Sequence, residues 1–398
     1  MFFFILRRLL ITIPLLFLAS IITFILVINL PIPQQLENLI AKPNHSLEAE
    51  QQLRHQYKLD MAPVARYTDW ITNFVKGDWG QDSSRKDVRS DIWRAMQVTL
   101  RLLVFSTIMS VILGVLVGVI SAIRQYTAFD YIATGLAFFF FSIPTAVLAG
   151  FLKVFGIVRF NKWARNPTVS PTVAIVLVVL GGICGVMVLR NRYKYRDRPK
   201  PKKVLLAVSA GVGIVAGCLL IFALVWGGNE YRKGNPSPLI PTIGQASTNP
   251  PADFWPRMQD YFWHMVGPSL TLILVGFAGY SRYMRASMLD VLNSDYVRTA
   301  RSKGVSEGRV IVKHAMRNAL IPLTTAVALD FGALLGGAII TETIFSWKGM
   351  GVFFTSALNL REPYPILAFV MVTAIFVIIF NLIADILYAQ LDPRIRLD

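Results

Sequence analysis

Apolar residues collect along this chain into long blocks, and polar residues fill the segments between them. Each block has about the 20 residues that a helix needs to cross the hydrocarbon core of a bilayer. Because only helices and closed barrels satisfy their backbone hydrogen bonds inside a bilayer, the pattern predicts an all-α polytopic membrane protein with about eight spanning helices. The predicted spans lie near residues 9 to 30, 98 to 123, 131 to 152, 168 to 189, 204 to 226, 267 to 284, 319 to 341 and 366 to 390.

Composition agrees with this pattern, since 54% of the 398 residues are hydrophobic and 16% are charged. The formal net charge of +17 does not indicate nucleic-acid binding, because no basic domain with interleaved aromatic residues lies outside the apolar blocks. Positive loops beside a lipid membrane account for it. The first block follows Arg7 and Arg8 but is too long for a secretion signal, so we expect an uncleaved first helix.

The distribution of charge predicts the orientation of the spans. Residues 190 to 203 carry eight basic side chains and one acidic, and residues 282 to 317 carry eight basic and three acidic. Both segments are expected in the cytoplasm, whereas residues 31 to 94, with nine of each sign, are expected on the opposite side. Threading the spans with both termini in the cytoplasm places each segment accordingly. The spans on either side of the loop at 190 to 203 are predicted to form an inserted helical hairpin.

The most informative polar segment is DYVRTARSKGVSEGRVIVKHAMRNALIP, at residues 295 to 322. Tyr296, Val297 and Ala300 fall at helical spacing and are expected to share one face, and Gly304 then ends the helix as a C-terminal cap. Ser306 is expected to cap a second helix that begins at Glu307 and stops at Pro322. A helix, a turn and a helix held between two spans can pass a push from the cytosol to both. A basic amphipathic helix on anionic headgroups is the alternative.

This segment resembles the cytoplasmic loop of ABC importer permeases, and most closely the dipeptide, oligopeptide, glutathione and nickel branch. The general loop begins Glu-Ala-Ala with a glycine four residues after the second alanine. This chain keeps Ala300 and Gly304 but has Arg298 and Thr299 in the first two places, as in the peptide branch. Further segments resemble the same branch in the same order, namely residues 99 to 144, GDWGQD at 77 to 82, PLIPTIG at 238 to 244, ETIFSWKGMG at 342 to 351 and ADILYAQLDPRIR at 384 to 396.

The resemblance covers nearly the whole chain except residues 152 to 236, and it implies a six-helix permease core to which the hairpin is added. The implied organisation is a first spanning helix at 1–30, an extracytoplasmic cap at 31–94, core helices at 95–152, an inserted hairpin at 153–236, and further core helices at 237–398 with a cytoplasmic coupling loop at 285–318. The cap is expected either to dock a solute-binding protein or to cover the outer mouth of the pathway.

The resemblance also implies partners in the cell inner membrane and on both sides of it. These are a second, similar permease, two cytosolic ATPase subunits and an extracytoplasmic solute-binding protein. No G-x-x-x-x-G-K-[ST] phosphate loop occurs in the sequence, so ATP and Mg are expected on the partner ATPases, with no cofactor or catalytic residue in this chain. The residues expected to meet the ATPase are Asp295, Tyr296, Arg298, Thr299, Ala300, Lys303, Gly304, Ser306 and Glu307.

The cargo stays open among dipeptides, oligopeptides, glutathione and nickel chelates. A secondary, ion-coupled transporter is the alternative, but such carriers show several ionisable residues in mid-membrane. This chain has Asp330 and Asp385 there, with Glu342 near the outer end of its helix. Asp330 lies about midway along its block and is a candidate for the translocation path, although a hydrogen-bonded acid facing another helix would satisfy the same sequence. The four histidines lack metal-ligand spacing in a membrane block, so no metal site is expected.

Overall fold

The structure, a computed structural model, describes residues 2 to 165, 240 to 335 and 338 to 391. The two spans predicted at 168 to 189 and 204 to 226 lie outside the described residues. Regular structure within the described ranges is helical. The helices, in chain order, are α1 (Phe2–Ile28), α2 (Gln34–Ile40), α3 (Leu47–Gln56), α4 (Pro63–Lys76), α5 (Val88–Ile123), α6 (Ala128–Ser142), α7 (Thr145–Phe151), α8 (Arg159–Arg165), α9 (Phe254–Leu292), α10 (Asp295–Ser302), α11 (Glu307–Arg309), α12 (Met316–Leu335), α13 (Ile339–Phe345), α14 (Met350–Leu360) and α15 (Pro363–Leu391).

Four of the described helices contain a segment that is long and apolar enough to cross a membrane, namely α1, α5, α9 and α15. A fifth span is possible if the bent pair that begins with α6 is counted as one. The prediction of a polytopic helical membrane protein is confirmed, but the count of eight spans is not. Two of the helices are longer than their apolar blocks, since α5 has 36 residues and α9 has 39. Both therefore extend beyond the hydrocarbon core.

The predicted span at 131 to 152 is not one straight helix. Helix α6 ends at Ser142, and the helix that begins at Thr145 meets it at a bend of 104°. Pro144 causes this break, because proline lacks a backbone N–H and disfavours helical angles in the residue before it. Ile143 accordingly has extended angles, with φ −82° and ψ 125°. The apolar pattern alone does not reveal such a break.

The predicted span at 319 to 341 is also divided. Its described residues belong to α12, which ends at Leu335, and to the separate short helix α13, which begins at Ile339. Asp330 is therefore in the last part of α12 and not at the middle of one long helix. Glu342 lies on α13, where it is fully buried, instead of at the outer end of a spanning helix.

Helices α5 and α9 pack closely because glycines stand where they approach each other. A Cβ atom on Gly114 would lie 2.7 Å from the Cβ atom of Tyr280, and one on Gly118 would lie 2.7 Å from the carbonyl oxygen of Ser281. Real Cβ atoms do not approach other heavy atoms so closely, so both positions require glycine or a separation of the helices. The spacing of four residues between the two glycines is that of close membrane-helix contacts.

The segment at 31 to 94, for which a cap was predicted, contains α2, α3 and α4, and its last residues begin α5. The GDWGQD segment ties the cap to the spans. Gly77 ends α4 with φ +92°, and Trp79 stacks on Phe74 with ring centroids 5.0 Å apart. Gly80 has φ +84°, and a Cβ atom there would lie 2.7 Å from the ring of Tyr364 on α15. The glycines are therefore required by left-handed angles and by close approach.

Two compact units are distinguished by their internal contacts, residues 1–152 with 243–398 and residues 153–242. In the smaller unit, Asn161 on α8 pairs with the backbone of Ile240. Its side-chain N–H donates to the Ile240 carbonyl oxygen at 2.7 Å, and its side-chain oxygen accepts from the Ile240 N–H at 3.0 Å. Asn161 is 7% exposed, so this two-way bond satisfies a buried amide.

Candidate functional site

The loop predicted to meet the ATPase contains the short helix α10, which ends in a Schellman motif. The Val305 N–H donates to the Ala300 carbonyl oxygen at 3.3 Å, and the Gly304 N–H donates to the Arg301 carbonyl oxygen at 3.0 Å. Gly304 has φ +74°, which L side chains rarely adopt. The prediction that Gly304 caps this helix is therefore confirmed.

The inner face of the loop is fully covered. Val297 on α10 and Val310 after α11 are 0% exposed, and Ala300 is 9% exposed. They belong to one apolar cluster with residues from the ends of α5, α9 and α12, among them Ala122, Met284, Met288, Ala315, Ala319 and Leu323. The loop is thus packed against the ends of three long helices and is not a free strand of polypeptide.

The outer face of the loop is exposed and carries positive charge. Arg298, Thr299 and Lys303 are exposed, and the side chain of Arg298 is 70% exposed beside Asp295. Tyr296 does not share the buried face of its neighbours, contrary to the expectation from spacing, because consecutive helical residues are rotated by about 100°. Its side chain is exposed, and its hydroxyl oxygen accepts a hydrogen bond of 2.8 Å from Asn318 at the start of α12.

The second half of the loop differs from the prediction in two details. Ser306 stands at the N-cap of α11, but its side chain makes no cap hydrogen bond. Arg301 instead fixes this turn, with a hydrogen bond of 2.7 Å to Glu307 that lowers the pKa of the Glu307 carboxyl group. The helix does not stop at Pro322, which lies inside α12. Membrane helices tolerate an internal proline because neighbouring groups satisfy the freed backbone atoms.

A buried ion pair lies near the loop and was not identified in the sequence. Asp130, at the start of α6, accepts two hydrogen bonds from Arg285 on α9, at 2.8 Å from Nε and 2.9 Å from Nη2. Asp130 is 3% exposed. Both residues lie in segments that the sequence analysis singled out, but their separation of 155 positions hides the pairing. The sequence does contain a signal for this pair, because Asp130 directly precedes the predicted span at 131 to 152 and Arg285 directly follows the one at 267 to 284.

A second buried carboxylate joins α13 to α5 and α14. One oxygen of Glu342 accepts a hydrogen bond of 2.6 Å from the Thr99 hydroxyl group, and the other accepts from the Gly351 and Val352 N–H groups at 2.8 and 3.3 Å. The Met350 N–H donates to the Thr99 oxygen at 2.8 Å. The carboxylate thus lies at the N-terminus of α14, where backbone N–H groups favour negative charge. The ETIFSWKGMG segment thus supplies both the buried Glu342 and the Gly351 N–H group that donates to it.

Asp330 lies at the surface of this chain and contacts one buried side chain. Tyr280, which is 5% exposed on α9, interacts electrostatically with Asp330. Asp330 itself is exposed. The structure therefore places an exposed acid beside a buried tyrosine.

No group of three or more His, Cys, Asp and Glu side chains in the described ranges could hold a metal ion.

Comparison with known proteins identifies the family. A family model described as "Binding-protein-dependent transport system inner membrane component" matches residues 203–397. The chain is 31% identical over 392 residues to the oligopeptide transport system permease protein OppB of Mycobacterium tuberculosis, covering 98% of each chain. It is 32% identical over 395 residues to the dipeptide transport system permease protein DppB of Escherichia coli, covering 99% of this chain and 98% of the relative. The chain belongs to this permease family.

Another relative of the permease is the oligopeptide transport system permease protein AppB of Bacillus subtilis, 30% identical over 395 residues and 99% of both chains. The resemblance drawn from the loop motifs is therefore confirmed, and the secondary transporter is not supported. The permease is an integral membrane component of a binding-protein-dependent transport system, and its family is one of transport proteins and not of enzymes.

Proposed function

We propose that this permease forms half of the pathway of a peptide importer that is driven by ATP hydrolysis on separate cytosolic subunits. The other half is a second, similar permease, and a solute-binding protein delivers cargo from outside. The proposal for peptides is supported by the relatives, which are permease proteins of oligopeptide and dipeptide transport systems. ATP and Mg belong to the ATPase subunits, since this sequence has no phosphate-binding loop.

The observation that carries the proposal is the two-sided character of residues 295 to 317, within the coupling loop. Its inner face is packed on the ends of α5, α9 and α12, and its outer face exposes Arg298, Thr299 and Lys303. A force applied by an ATPase to the outer face reaches three long helices at once. A basic helix resting on lipid headgroups would not need the Gly304 cap, the Arg301–Glu307 bond and the Tyr296–Asn318 bond to fix its shape.

The orientation in this proposal follows the charge of the loops. The coupling loop and both termini lie in the cytoplasm, and the cap formed by α2, α3 and α4 lies on the opposite side. The same threading places the inserted hairpin between two extracytoplasmic segments, with its basic loop at 190 to 203 in the cytoplasm. Adding two crossings leaves the sides of all later segments unchanged.

Asp330 is proposed to line the translocation path. A charged carboxylate facing lipid costs about 2.5–3.5 kcal/mol on insertion scales, so an exposed Asp330 requires a wet cavity, cargo or a partner helix opposite it. Tyr280 on α9 interacts with this carboxylate, which is exposed and so remains accessible to cargo. A carboxylate in this position would favour cargo with a positively charged amino terminus.

Reconstitution tests the function directly. The permease, its partner permease, the two ATPases and the binding protein are placed in proteoliposomes, and uptake of a radiolabelled mixture of di- to pentapeptides is followed with and without ATP. We expect ATP-dependent uptake that requires the binding protein. Uptake that follows an ion gradient without ATPases would refute the proposal.

Cross-linking tests the proposed contact surface. Cys184 and Cys218 are the two native cysteines and are first replaced by serine. A cysteine at Lys303 is expected to cross-link to an ATPase subunit, whereas one at Val64, which is 76% exposed on the cap, is expected not to. Equal cross-linking at both positions, or at Val64 alone, would contradict the assignment.

A further inference from the structure

The carboxylate of Asp130 is satisfied by groups from three different parts of the chain. Besides the two bonds from Arg285 on α9, it accepts from the Ser121 hydroxyl group on α5 and from the Tyr126 N–H at 3.0 Å. Ser121 is 2% exposed. Tyr126 has φ +60°, so the turn between α5 and α6 takes a left-handed angle at the residue whose N–H points to Asp130. One carboxylate thus joins α5, the turn, α6 and α9.

A second arginine on α9 also contacts α6. The guanidinium group of Arg282 lies 3.8 Å from the ring centroid of Phe141 and 5.2 Å from that of Phe138. Both distances are within the range of cation–π attraction. Arg282 and Arg285, three residues apart on the same helix, therefore hold α6 near its C-terminal end and at its first turn.

The position of these contacts connects the coupling loop to the bent helix pair. Helix α9 continues from Arg285 to Leu292, and α10 of the coupling loop begins at Asp295. Helix α6 continues from Asp130 to Ser142, where the chain bends by 104° at Pro144. A displacement of α9 is passed to α6 wherever the two are fastened, and the described contacts fasten them at both ends of α6.

We propose that the ion pair of Asp130 and Arg285 transmits movement of the coupling loop to α6, so that α6 and α9 move together as a rigid unit during transport. The proposal rests on the proposed function, since it assigns how an ATP-driven movement spreads within this chain. Asp130 and Arg285 are positioning residues, because they act through the helices and not on cargo. Serine and the backbone N–H fix the carboxylate so that the arginine meets it with both nitrogens.

Loss of stability alone would not test this role. Breaking a buried ion pair leaves an unpaired charge and destabilises a protein whether or not the pair has a mechanical function. The informative quantity is therefore the number of peptides imported per ATP hydrolysed, measured on complexes that assemble and purify normally. A purely structural pair, when weakened, lowers import and ATP hydrolysis together and leaves their ratio unchanged.

The experiment uses the reconstituted complex and the radiolabelled mixture of di- to pentapeptides. Asp130→Asn keeps the shape of the side chain and removes its charge. Ser121→Ala removes one hydrogen-bond donor to Asp130 and is the milder variant, to be used if the Asp130→Asn complex does not assemble. Asp130→Arg combined with Arg285→Asp reverses the pair. Arg124→Gln is the matched control, because Arg124 is an exposed basic residue in the same turn.

We expect Asp130→Asn to lower the import-to-hydrolysis ratio by about tenfold, within the range by which positions in a coupling network act, and Ser121→Ala to lower it less. Arg124→Gln is expected to keep the wild-type ratio. The variant with both Asp130→Arg and Arg285→Asp is expected to have a higher import-to-hydrolysis ratio than either substitution alone. The proposal is overturned if assembled Asp130→Asn or Ser121→Ala complexes keep the wild-type ratio, or if the reversed pair is no better than its single variants. A wild-type complex without ATP-dependent uptake would instead refute the proposed function.

Discussion

Thr99 on α5 and Glu342 on α13 are joined by a hydrogen bond of 2.6 Å in a space that leaves no room for a methyl group at the neighbouring Gly349. Both side chains are 0% exposed. The bond fixes the short helices α13 and α14 to a spanning helix, and the segment between them folds back over the carboxylate with N–H groups directed to it. This part of the permease is therefore held by polar groups and not by apolar packing alone.

Gly349→Ala is expected to destabilise the permease, because the new Cβ atom would lie 2.4 Å from both Glu342 Oε1 and Thr99 Oγ1. The hydrogen bond would have to break or the chain would have to shift, at a cost of about 1–3 kcal/mol. The midpoint of thermal unfolding in detergent measures it. Gly135→Ala is the control, since nothing lies within 4 Å of a Cβ atom there. An unfolding midpoint for Gly349→Ala equal to that of the control would contradict the geometry.

Gly304→Val is expected to uncouple peptide uptake from ATP hydrolysis while the protein stays in the membrane. A Cβ atom at Gly304 meets nothing within 4 Å, so the effect comes from the φ of +74°, which costs a residue with a side chain about 1–2 kcal/mol. The C-terminal turn of α10 would then change conformation and alter the outer face of the loop. Uptake and stimulated ATPase activity are measured together in proteoliposomes.

Gly308→Val provides the control for the coupling loop. Gly308 lies on α11 with no atom within 4 Å of a Cβ position and has no left-handed angle. We expect it to keep the wild-type ratio of uptake to hydrolysis. Equal loss in both variants would show that the outer face, and not the backbone angle, is sensitive to a valine.

Asp330→Asn is expected to slow the uptake of cationic peptides more than that of neutral ones. The amide keeps the shape and most hydrogen bonds of the carboxylate but removes its charge. Tyr280→Phe is the matched variant, because it removes the hydroxyl group that interacts with Asp330 and keeps the charge. Competition between lysine-containing and neutral peptides measures the preference. Equal effects of Asp330→Asn on both classes would exclude a role in cargo selection.

A cysteine at Asn191, in a background without the native cysteines, is expected to resist an impermeant reagent added to intact cells. The basic segment at 190 to 203 favours the cytoplasm, because positively charged loops are retained there. The reagent is expected to react once the membrane is opened. Reaction in intact cells would refute the orientation.

Excision of residues 168 to 226 is expected to leave transport intact, since we predict that the hairpin is peripheral to the pathway.

The helical membrane architecture could be predicted from the sequence because the length and hydrophobicity of a block decide whether it can cross a bilayer. The coupling loop could also be located, since its turn depends on local backbone preferences. Gly304 is an example: a glycine that follows a helical pattern predicts a left-handed cap, and the structure has φ +74° there.

The tertiary structure alone decided which polar residues meet. Asp130 and Arg285 are separated by 155 positions and Thr99 and Glu342 by 243, and no local preference encodes such distances. The division of the block around Glu342 was likewise decided by how helices pack. Hydrophobicity specifies that a segment is buried, because transfer from water depends on area and not on direction. Which partner a buried charge finds depends on the geometry that brings the two side chains together.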